Sequence, residues 1–245
     1  MPEWTNEAAI AQWETLPPEV VGAMDADGDF AKRHLVNPHL LRLLGADGGL
    51  TGRRILDAGC GNGYFSRMLA REGAHVVGVE PTDALSGYAR RRETELAQGI
   101  RYLQAGLTDL PADFGAPFDA VVCSMVLMAI PDWKPAMRAC VEALRPGGTF
   151  VFAITHPAFE GLGGIWREHG AYRVDRYLAD YDMPSTYATD FHRPLSAYLN
   201  ELAALGCRLR EVVEPGLPPE LADADGLEAY VRLPNFLIAA AEGPA

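Results

Sequence analysis

Five short β-rich runs alternate with helical stretches from Arg54 onward, and this alternation constrains the fold more than any other feature of the chain. The runs read RILDAG, AHVVGVE, IRYLQA, FDAVVCS and GTFVFAIT, and three of the stretches between them have helical character and end at glycine. Strands that alternate with helices are typical of βαβ units, in which the strands are parallel. The sequence therefore predicts a doubly wound α/β sheet whose first five strands are complete by Thr155.

Two further β-rich runs follow later in the chain, CRLREVVEP and FLIAAAE. With them the prediction becomes a Rossmann-like, doubly wound, mixed sheet of seven strands. The loop before the sixth strand is short, which favours a parallel addition, whereas residues 214–235 form a connection too long for a tight hairpin. Two helices precede the sheet, in EWTNEAAIAQWETL and NPHLLRLLG, and we expect them to form an N-terminal cap.

The charge balance excludes several classes of partner. The 245 residues carry a formal net charge of −12, which argues against nucleic acid and against an anionic membrane surface, because both bind basic faces. No apolar run reaches the length of a membrane span, and acidic residues near the start argue against a signal peptide. We therefore expect a cytoplasmic protein that acts on a small-molecule substrate. The composition leaves its oligomeric state open.

The loop LDAGCGNGYF, residues 56–65, lies between the first strand and its helix, where ligands bind in doubly wound sheets. A dinucleotide loop reads G-x-G-x-x-G, and Tyr64 stands where its third glycine belongs. A P-loop would need Gly-Lys-Ser/Thr, which does not follow. Asp57 would repel a pyrophosphate but can accept a hydrogen bond from an ammonium group. The loop therefore favours a cofactor with a cationic amino-acid tail.

This loop resembles motif I of the class I S-adenosylmethionine-dependent methyltransferases, which often reads D-x-G-C-G-x-G followed by an aromatic residue. The resemblance covers roughly residues 55–242. It implies S-adenosylmethionine as cofactor, with the loop backbone against its methionine portion. The cofactor-binding residues expected from this loop are Asp57, Gly59, Cys60, Gly61, Tyr64 and Phe65.

Three later strand ends complete the expected cofactor site. Glu80, followed by Pro81, ends the second strand, where a carboxylate can accept from both ribose hydroxyls. After the third strand many family members carry an aspartate that accepts from the adenine amino group, but Gly106 stands there in this chain. Backbone groups at Gly106 and Leu107 are expected to hold the adenine, with Thr108 or Asp109 in place of the missing acid. The fourth strand places Ser124 and Met125 beside the methionine portion.

The stretch after the fifth strand is rich in aromatic residues and is expected to form a lid over an apolar substrate pocket. His156 opens it and His192 closes it, and we expect either to act as general base near neutral pH. The same side chains are equally compatible with a lid that packs its own small core. The expected substrate-binding residues are Phe30, Trp166, Tyr181, Tyr187 and Arg193.

No metal site is expected. The DADGD turn lacks the calcium-loop spacing, and the four cysteines lie far apart and are expected to be reduced thiols. We divide the chain into an N-terminal helical cap (1–50), a cofactor-binding core (51–155), an aromatic lid insertion (156–193) and the C-terminal part of the core sheet (194–245).

The expected function is transfer of a methyl group from S-adenosylmethionine to a small-molecule acceptor, first to a hydroxyl oxygen and next to an amine nitrogen. One alternative is an NAD-dependent oxidoreductase, which shares the sheet, the glycines and Glu80. Another is a protein of the methyltransferase fold that uses bound S-adenosylmethionine for a non-methylating cyclisation or rearrangement.

Overall fold

The computed structural model describes residues 4–23, 25, 27–222 and 227–245. The strands are β1 (Arg54–Ala58), β2 (His75–Val79), β3 (Arg101–Leu103), β4 (Phe118–Ser124), β5 (Leu144–Thr155), β6 (Tyr181–Pro184), β7 (Thr189–His192), β8 (Arg208–Val213) and β9 (Phe236–Glu242). The α-helices are α1 (Asn6–Trp13), α2 (Pro18–Ala23), α3 (Asn37–Leu44), α4 (Tyr64–Arg71), α5 (Asp83–Leu96), α6 (Trp133–Glu142), α7 (Leu162–His169), α8 (Leu195–Ala204) and α9 (Glu228–Arg232).

Seven strands form one mixed sheet in the order β3-β2-β1-β4-β5-β9-β8. The first five are parallel to one another, while β9 runs antiparallel between β5 and β8. The run FLIAAAE is apolar and almost wholly buried, which suits an inner strand, whereas most of β8 is exposed and lies at the edge. The predicted fold class is confirmed. Strand β8 points in the same direction as the five parallel strands but pairs only with β9.

Apolar side chains fill both faces of the sheet because strand residues alternate between them. Along β4, Val121 and Cys123 belong to the cluster under α6 and α8, and Ala120 and Val122 belong to the cluster under α3 and α4. All four cysteines are free thiols. The two packed faces hold the sheet rigid, so the loops at its carboxyl edge have fixed starting points.

The acidic turn between α2 and α3 is tied to the sheet helices by ion pairs. Asp25 pairs with Arg67, Asp27 pairs with Arg71, and Asp29 accepts from Lys32. Ala26, within the DADGD motif, lies outside the described residues. Within the described ranges no group of three or more His, Cys, Asp or Glu side chains is arranged to hold a metal ion. Asp25 and Asp27 therefore dock the cap on α4, whereas Asp29 pairs within the cap.

The insertion after β5 has more regular structure than its sequence indicates. It contains α7 and a two-stranded hairpin in which Tyr181 is paired with His192 and Pro184 with Thr189. The strands of this hairpin have four residues each, too short for a period-two pattern to stand out. Among the described helices, none has the length and apolar character that crossing a bilayer requires.

Candidate active site

A cavity of about 340 Å³ opens at the carboxyl ends of β1 to β4, under helix α1. Parallel strands end at one edge of a sheet, so residues far apart in the chain meet there. The structure brings all the sequence-predicted cofactor residues to the wall of this cavity: Asp57, Gly59, Cys60, Gly61, Tyr64, Phe65, Glu80, Pro81, Gly106, Leu107, Thr108, Ser124 and Met125. Their contacts with the cofactor remain predictions.

Two glycines shape the loop after β1. Gly59 has a φ of 75°, and a Cβ there would lie 2.4 Å from Cγ2 of Val126, so only glycine fits against the loop after β4. Gly61 has a φ of 57°, and a Cβ there would meet no atom within 4 Å. That open space belongs to the cavity, so a ligand can approach the loop backbone closely.

Asp57 is buried at the end of β1, with 2% of its surface exposed. Its Oδ2 accepts a 2.6 Å hydrogen bond from Oγ of Ser66, on α4. Burial raises the pKa of Asp57 to about 6, although the Ser66 bond opposes that shift. A buried carboxylate is stabilised by a cationic ligand, because the charge of the ligand replaces the lost hydration.

The raised pKa of Asp57 predicts a pH-dependent cofactor affinity. Only the ionised carboxylate attracts an ammonium group, so we expect the affinity for S-adenosylhomocysteine to fall by about tenfold per pH unit below about 6. The free energy of unfolding should change in the opposite sense: the contribution of Asp57 is greatest when it is protonated and is lost as pH rises from about 4 to about 6. Titration calorimetry and chemical unfolding across this range measure both effects, and an Asp57→Asn variant should lack the part of each that Asp57 contributes.

Glu80 joins the loop after β1 to the start of α5. Its Oε1 accepts from the backbone N and Oγ1 of Thr82, at 3.1 and 2.8 Å, and its Oε2 accepts from the backbone N of Gly61 at 3.1 Å. Burial raises the pKa of Glu80 above its ordinary value. Each carboxylate oxygen can accept more than one hydrogen bond, so Glu80 can hold the loop and a pair of ribose hydroxyls together.

The loop after β3 places a carboxylate beside the glycine at the family's acidic position. A Cβ on Gly106 would lie 3.3 Å from Oδ2 of Asp109, and Oγ1 of Thr108 donates to that same oxygen at 3.1 Å. Asp109 also lines the cavity. The carboxylate of Asp109 therefore lies where a side chain from position 106 would project, which favours Asp109 as the acceptor for the adenine amino group.

An Asp109→Asn variant is expected to lose preference for adenine. We expect it to bind S-adenosylhomocysteine about tenfold more weakly, while its affinity for S-inosylhomocysteine, whose ring carries oxygen instead of the amino group, stays within about twofold. Calorimetry with both ligands measures the preference. Asp113→Asn, in the same loop but outside the cavity wall, is the matched control. Equal losses of affinity for both ligands would argue that Asp109 does not accept a hydrogen bond from the amino group.

Helix α1, part of the expected N-terminal cap, covers the cavity. It contributes Asn6, Glu7, Ala9, Ile10 and Trp13 to the wall. Of these, Ile10 and Trp13 are three residues apart, a spacing that places two side chains on one face of a helix.

Contacts at its two ends hold the N-terminal segment across the opening. Glu14 accepts from the backbone N of Asp83 and of Ala84, at 2.8 and 3.0 Å, and Oδ1 of Asn6 accepts from the backbone N of Asp132. Trp4 donates to Asp182 at 2.8 Å. These bonds reach α5, the start of α6 and the insertion hairpin, so the N-terminal segment links these three elements.

The two predicted general bases lie in hydrogen-bond networks away from the cavity wall. His156 accepts from the backbone N of Ala158 with Nδ1, so Nε2 carries the hydrogen and lies 2.8 Å from Oε1 of Glu214. His192 lies 2.8 Å from Glu160 through Nδ1 and 2.9 Å from the carbonyl oxygen of Tyr177 through Nε2. Neither histidine is among the described residues that line the cavity.

The predicted substrate residues also lie outside the described cavity wall. Phe30 and Tyr187 are each 41% exposed. Trp166 donates to Glu228, and Tyr181 stacks on His192 with ring centroids 4.4 Å apart.

Arg193 is buried behind the loop that follows β4. Its guanidinium donates to the carbonyl oxygens of Ile130 and Pro131, both at 2.8 Å, and of Leu127 at 3.2 Å. Ile130 and Pro131 line the cavity, so Arg193 fixes part of its wall from behind.

Comparison with known proteins identifies the family. Residues 56–152 match the family described as Methyltransferase domain. A ubiquinone biosynthesis O-methyltransferase of Xanthomonas campestris pv. campestris (strain B100) is 34% identical over 169 residues, which cover 67% of this chain and 71% of the relative. The chain belongs to the class I S-adenosylmethionine-dependent methyltransferase family. The family and cofactor predicted from the glycine loop are confirmed.

Two further relatives agree with this assignment. A ubiquinone biosynthesis O-methyltransferase of Aromatoleum aromaticum is 34% identical over 136 residues, or 56% of this chain and 58% of the relative. The structure of an S-adenosylmethionine-dependent methyltransferase from Mesorhizobium loti superimposes with a TM-score of 0.69 at 29% identity, covering 84% of this chain and 96% of that one. The chain thus spans 58% and 71% of the length of these two curated relatives. The NAD-dependent alternative is not favoured.

The residues of this methyltransferase-family protein fit the cofactor. Oγ of Ser124 is buried at the end of β4 and has no hydrogen-bond partner, although Ser124 lines the cavity. Met125 beside it has a φ of 60°, an uncommon conformation for a residue other than glycine. An unpartnered buried hydroxyl at a strained strand end is typical of a site built for a polar ligand.

Proposed function

We propose that this protein methylates a hydroxyl oxygen of a small, largely apolar acceptor, with S-adenosylmethionine as methyl donor. The observation that carries the choice of oxygen is the similarity to curated relatives named ubiquinone biosynthesis O-methyltransferase. The cavity supports the apolar character of the acceptor.

The wall beyond the glycine loop is mostly apolar. The loop after β4 contributes Val126, Ala129, Ile130 and Pro131, and α1 faces them with Ile10. A pocket with apolar walls and few polar groups binds a hydrophobic or aromatic body and excludes water from it. Exclusion of water favours transfer of the methyl group to the acceptor over its loss to solvent.

The charges on the wall disfavour an anionic acceptor. Among the described lining residues, Glu7, Asp57, Glu80 and Asp109 carry carboxyl groups, and Lys32 is the only one with a cationic side chain. An acceptor carrying a carboxylate or phosphate would meet net repulsion there. A neutral hydroxylated compound is therefore the better match to the cavity.

The protein's part in this reaction is alignment. Bound S-adenosylmethionine supplies a methyl group already activated by the positive charge on sulfur. Asp57 and Glu80 orient the cofactor, while Arg193 holds the loop of Ile130 and Pro131 against which the acceptor packs. Holding the two reactants in line can supply much of the rate enhancement without a metal or a covalent intermediate.

A general-base role for His156 and His192 stays a prediction. In this arrangement both ring nitrogens of His192 already face acceptors, Glu160 and the carbonyl oxygen of Tyr177. Nε2 of His156 faces Glu214. These bonds support a role in holding the insertion in place, and a phenolic acceptor, which ionises more readily than an alcohol, needs the least help in losing its proton.

Methyl transfer can be tested with a labelled donor. The protein is incubated with S-adenosylmethionine carrying a deuterated methyl group and with three probes: a catechol bearing an alkyl chain, its aniline analogue, and a catechol bearing a carboxylate. Mass spectrometry then locates the label. We expect labelled methyl ether from the alkyl catechol and much less product from the other two. Preferential labelling of the aniline nitrogen would overturn the choice of oxygen, and a rearranged product without label would favour the cyclisation alternative.

A further inference from the structure

The amino-acid tail of S-adenosylmethionine carries a carboxylate as well as an ammonium group. The described cavity wall offers few cationic partners for that carboxylate. The described lining residues include the carboxyl groups of Glu7, Asp57, Glu80 and Asp109. These groups repel a carboxylate. Lys32 is the one described lining residue whose side chain is cationic.

Lys32 lies beside the glycine loop. Gly28 separates its side chain from the ring of Tyr64, since a Cβ on Gly28 would lie 3.0 Å from Cβ of Lys32 and 3.1 Å from Cε2 of Tyr64. Tyr64 is the first residue of α4, directly after the loop, and it also lines the cavity. The stem of Lys32 therefore packs close to the end of the cavity where the loop and Asp57 lie.

The contacts of Lys32 with Asp29 hold it in position. Its side chain is 20% exposed, and Nζ lies 3.1 Å from Oδ2 of Asp29, which is half exposed. The backbone N of Lys32 donates to Oδ1 of the same Asp29 at 2.8 Å. An ammonium group has three hydrogens, so it can donate to Asp29 and to a ligand at the same time.

We propose that Lys32 binds the carboxylate of the methionine portion of S-adenosylmethionine. Asp57 and Lys32 then recognise the two opposite charges of the same zwitterionic tail. Lys32 belongs to the N-terminal cap, so this contact makes the cap part of the cofactor site. The inference concerns cofactor recognition and holds for any methyl acceptor.

The test compares ligands that differ in the tail, with calorimetry of the protein as readout. For Lys32→Met we expect binding of S-adenosylhomocysteine to weaken by about tenfold to a hundredfold. Binding of 5′-methylthioadenosine, which lacks the tail, should be unchanged, and this also shows that the variant is folded. Decarboxylated S-adenosylmethionine keeps the ammonium group but not the carboxylate, so wild type and Lys32→Met should bind it equally well.

Two further variants separate charge from packing. Lys32→Arg retains the charge and should recover most of the lost affinity. Lys134, on α6, is 61% exposed, pairs with Glu201 and does not line the cavity. Lys134→Met should therefore leave the affinity for every ligand unchanged. Unchanged S-adenosylhomocysteine binding in Lys32→Met would overturn the proposal. Equal losses for S-adenosylhomocysteine and 5′-methylthioadenosine would also overturn it, because they would show that Lys32 only supports the shape of the cavity.

Discussion

Replacing Asp57 with Asn is expected to weaken S-adenosylhomocysteine binding by about a hundredfold at pH 7. The amide keeps the size of the carboxyl group and an oxygen for Ser66, but it has no charge to attract the ammonium group of the ligand. The unliganded variant should be at least as stable as wild type at pH 7. Asp57 is buried with a raised pKa, so its ionised form costs folding free energy that the amide does not.

Two comparisons make the Asp57 result specific. 5′-Methylthioadenosine has no ammonium group, so its affinity should be the same for wild type and Asp57→Asn. Asp119→Asn is a control at the other end of the sheet, where Asp119 accepts from the backbone N of Arg54 at 2.9 Å. This control should leave binding of both ligands unchanged. Normal S-adenosylhomocysteine binding by Asp57→Asn would mean that another group holds the ammonium.

Replacing Glu80 with Gln is expected to weaken ligand binding as strongly, but for both ligands rather than for S-adenosylhomocysteine alone. The carboxylate accepts from three donors, on Gly61 and Thr82, and the NH₂ of glutamine would face at least one of them as a second donor. The ribose would also lose a charged acceptor. We therefore expect binding of both S-adenosylhomocysteine and 5′-methylthioadenosine to weaken by about a hundredfold, since both ligands contain the ribose.

Glu93 provides a matched control for Glu80. Its Oε1 also accepts from two backbone N–H groups, those of Gly99 and Ile100, at 2.7 and 3.2 Å, but it does not line the cavity. Glu93→Gln should therefore disturb its own loop but leave the affinity for both ligands unchanged. If Glu80→Gln weakened only S-adenosylhomocysteine, Glu80 would have to be assigned to the tail rather than to the ribose.

The site residues at the strand ends were predictable from sequence because the carboxyl ends of parallel strands meet at one edge of any such sheet. The alternation of strands and helices places the residues after β1, β2, β3 and β4 at one edge, and the cavity lies there. The same patterns predicted the sheet and most of its helices. The position of β9 between β5 and β8 was not predicted. The apolar run FLIAAAE suits an inner strand, but nothing in it specifies which two strands lie beside it.

The residues that cover the cavity were harder to predict because their placement depends on tertiary contacts. Asn6 and Glu14 reach the cavity rim through bonds to Asp132 and Asp83, more than 60 residues away in sequence. His156 and His192 stand beside strand ends in sequence, but carboxylates from distant segments, Glu214 and Glu160, hold their rings. Local patterns carry no information about such long-range partners.

A crystal structure of the protein with S-adenosylhomocysteine tests the central claim most directly. We predict that the ligand occupies the cavity under α1, with its ammonium group at Asp57, its ribose hydroxyls on Glu80 and its adenine against Gly106 and Asp109. Its sulfur should face the apolar wall formed by Val126, Ile130 and Pro131. A ligand bound outside this cavity, or bound within it with the ribose away from Glu80, would contradict the account.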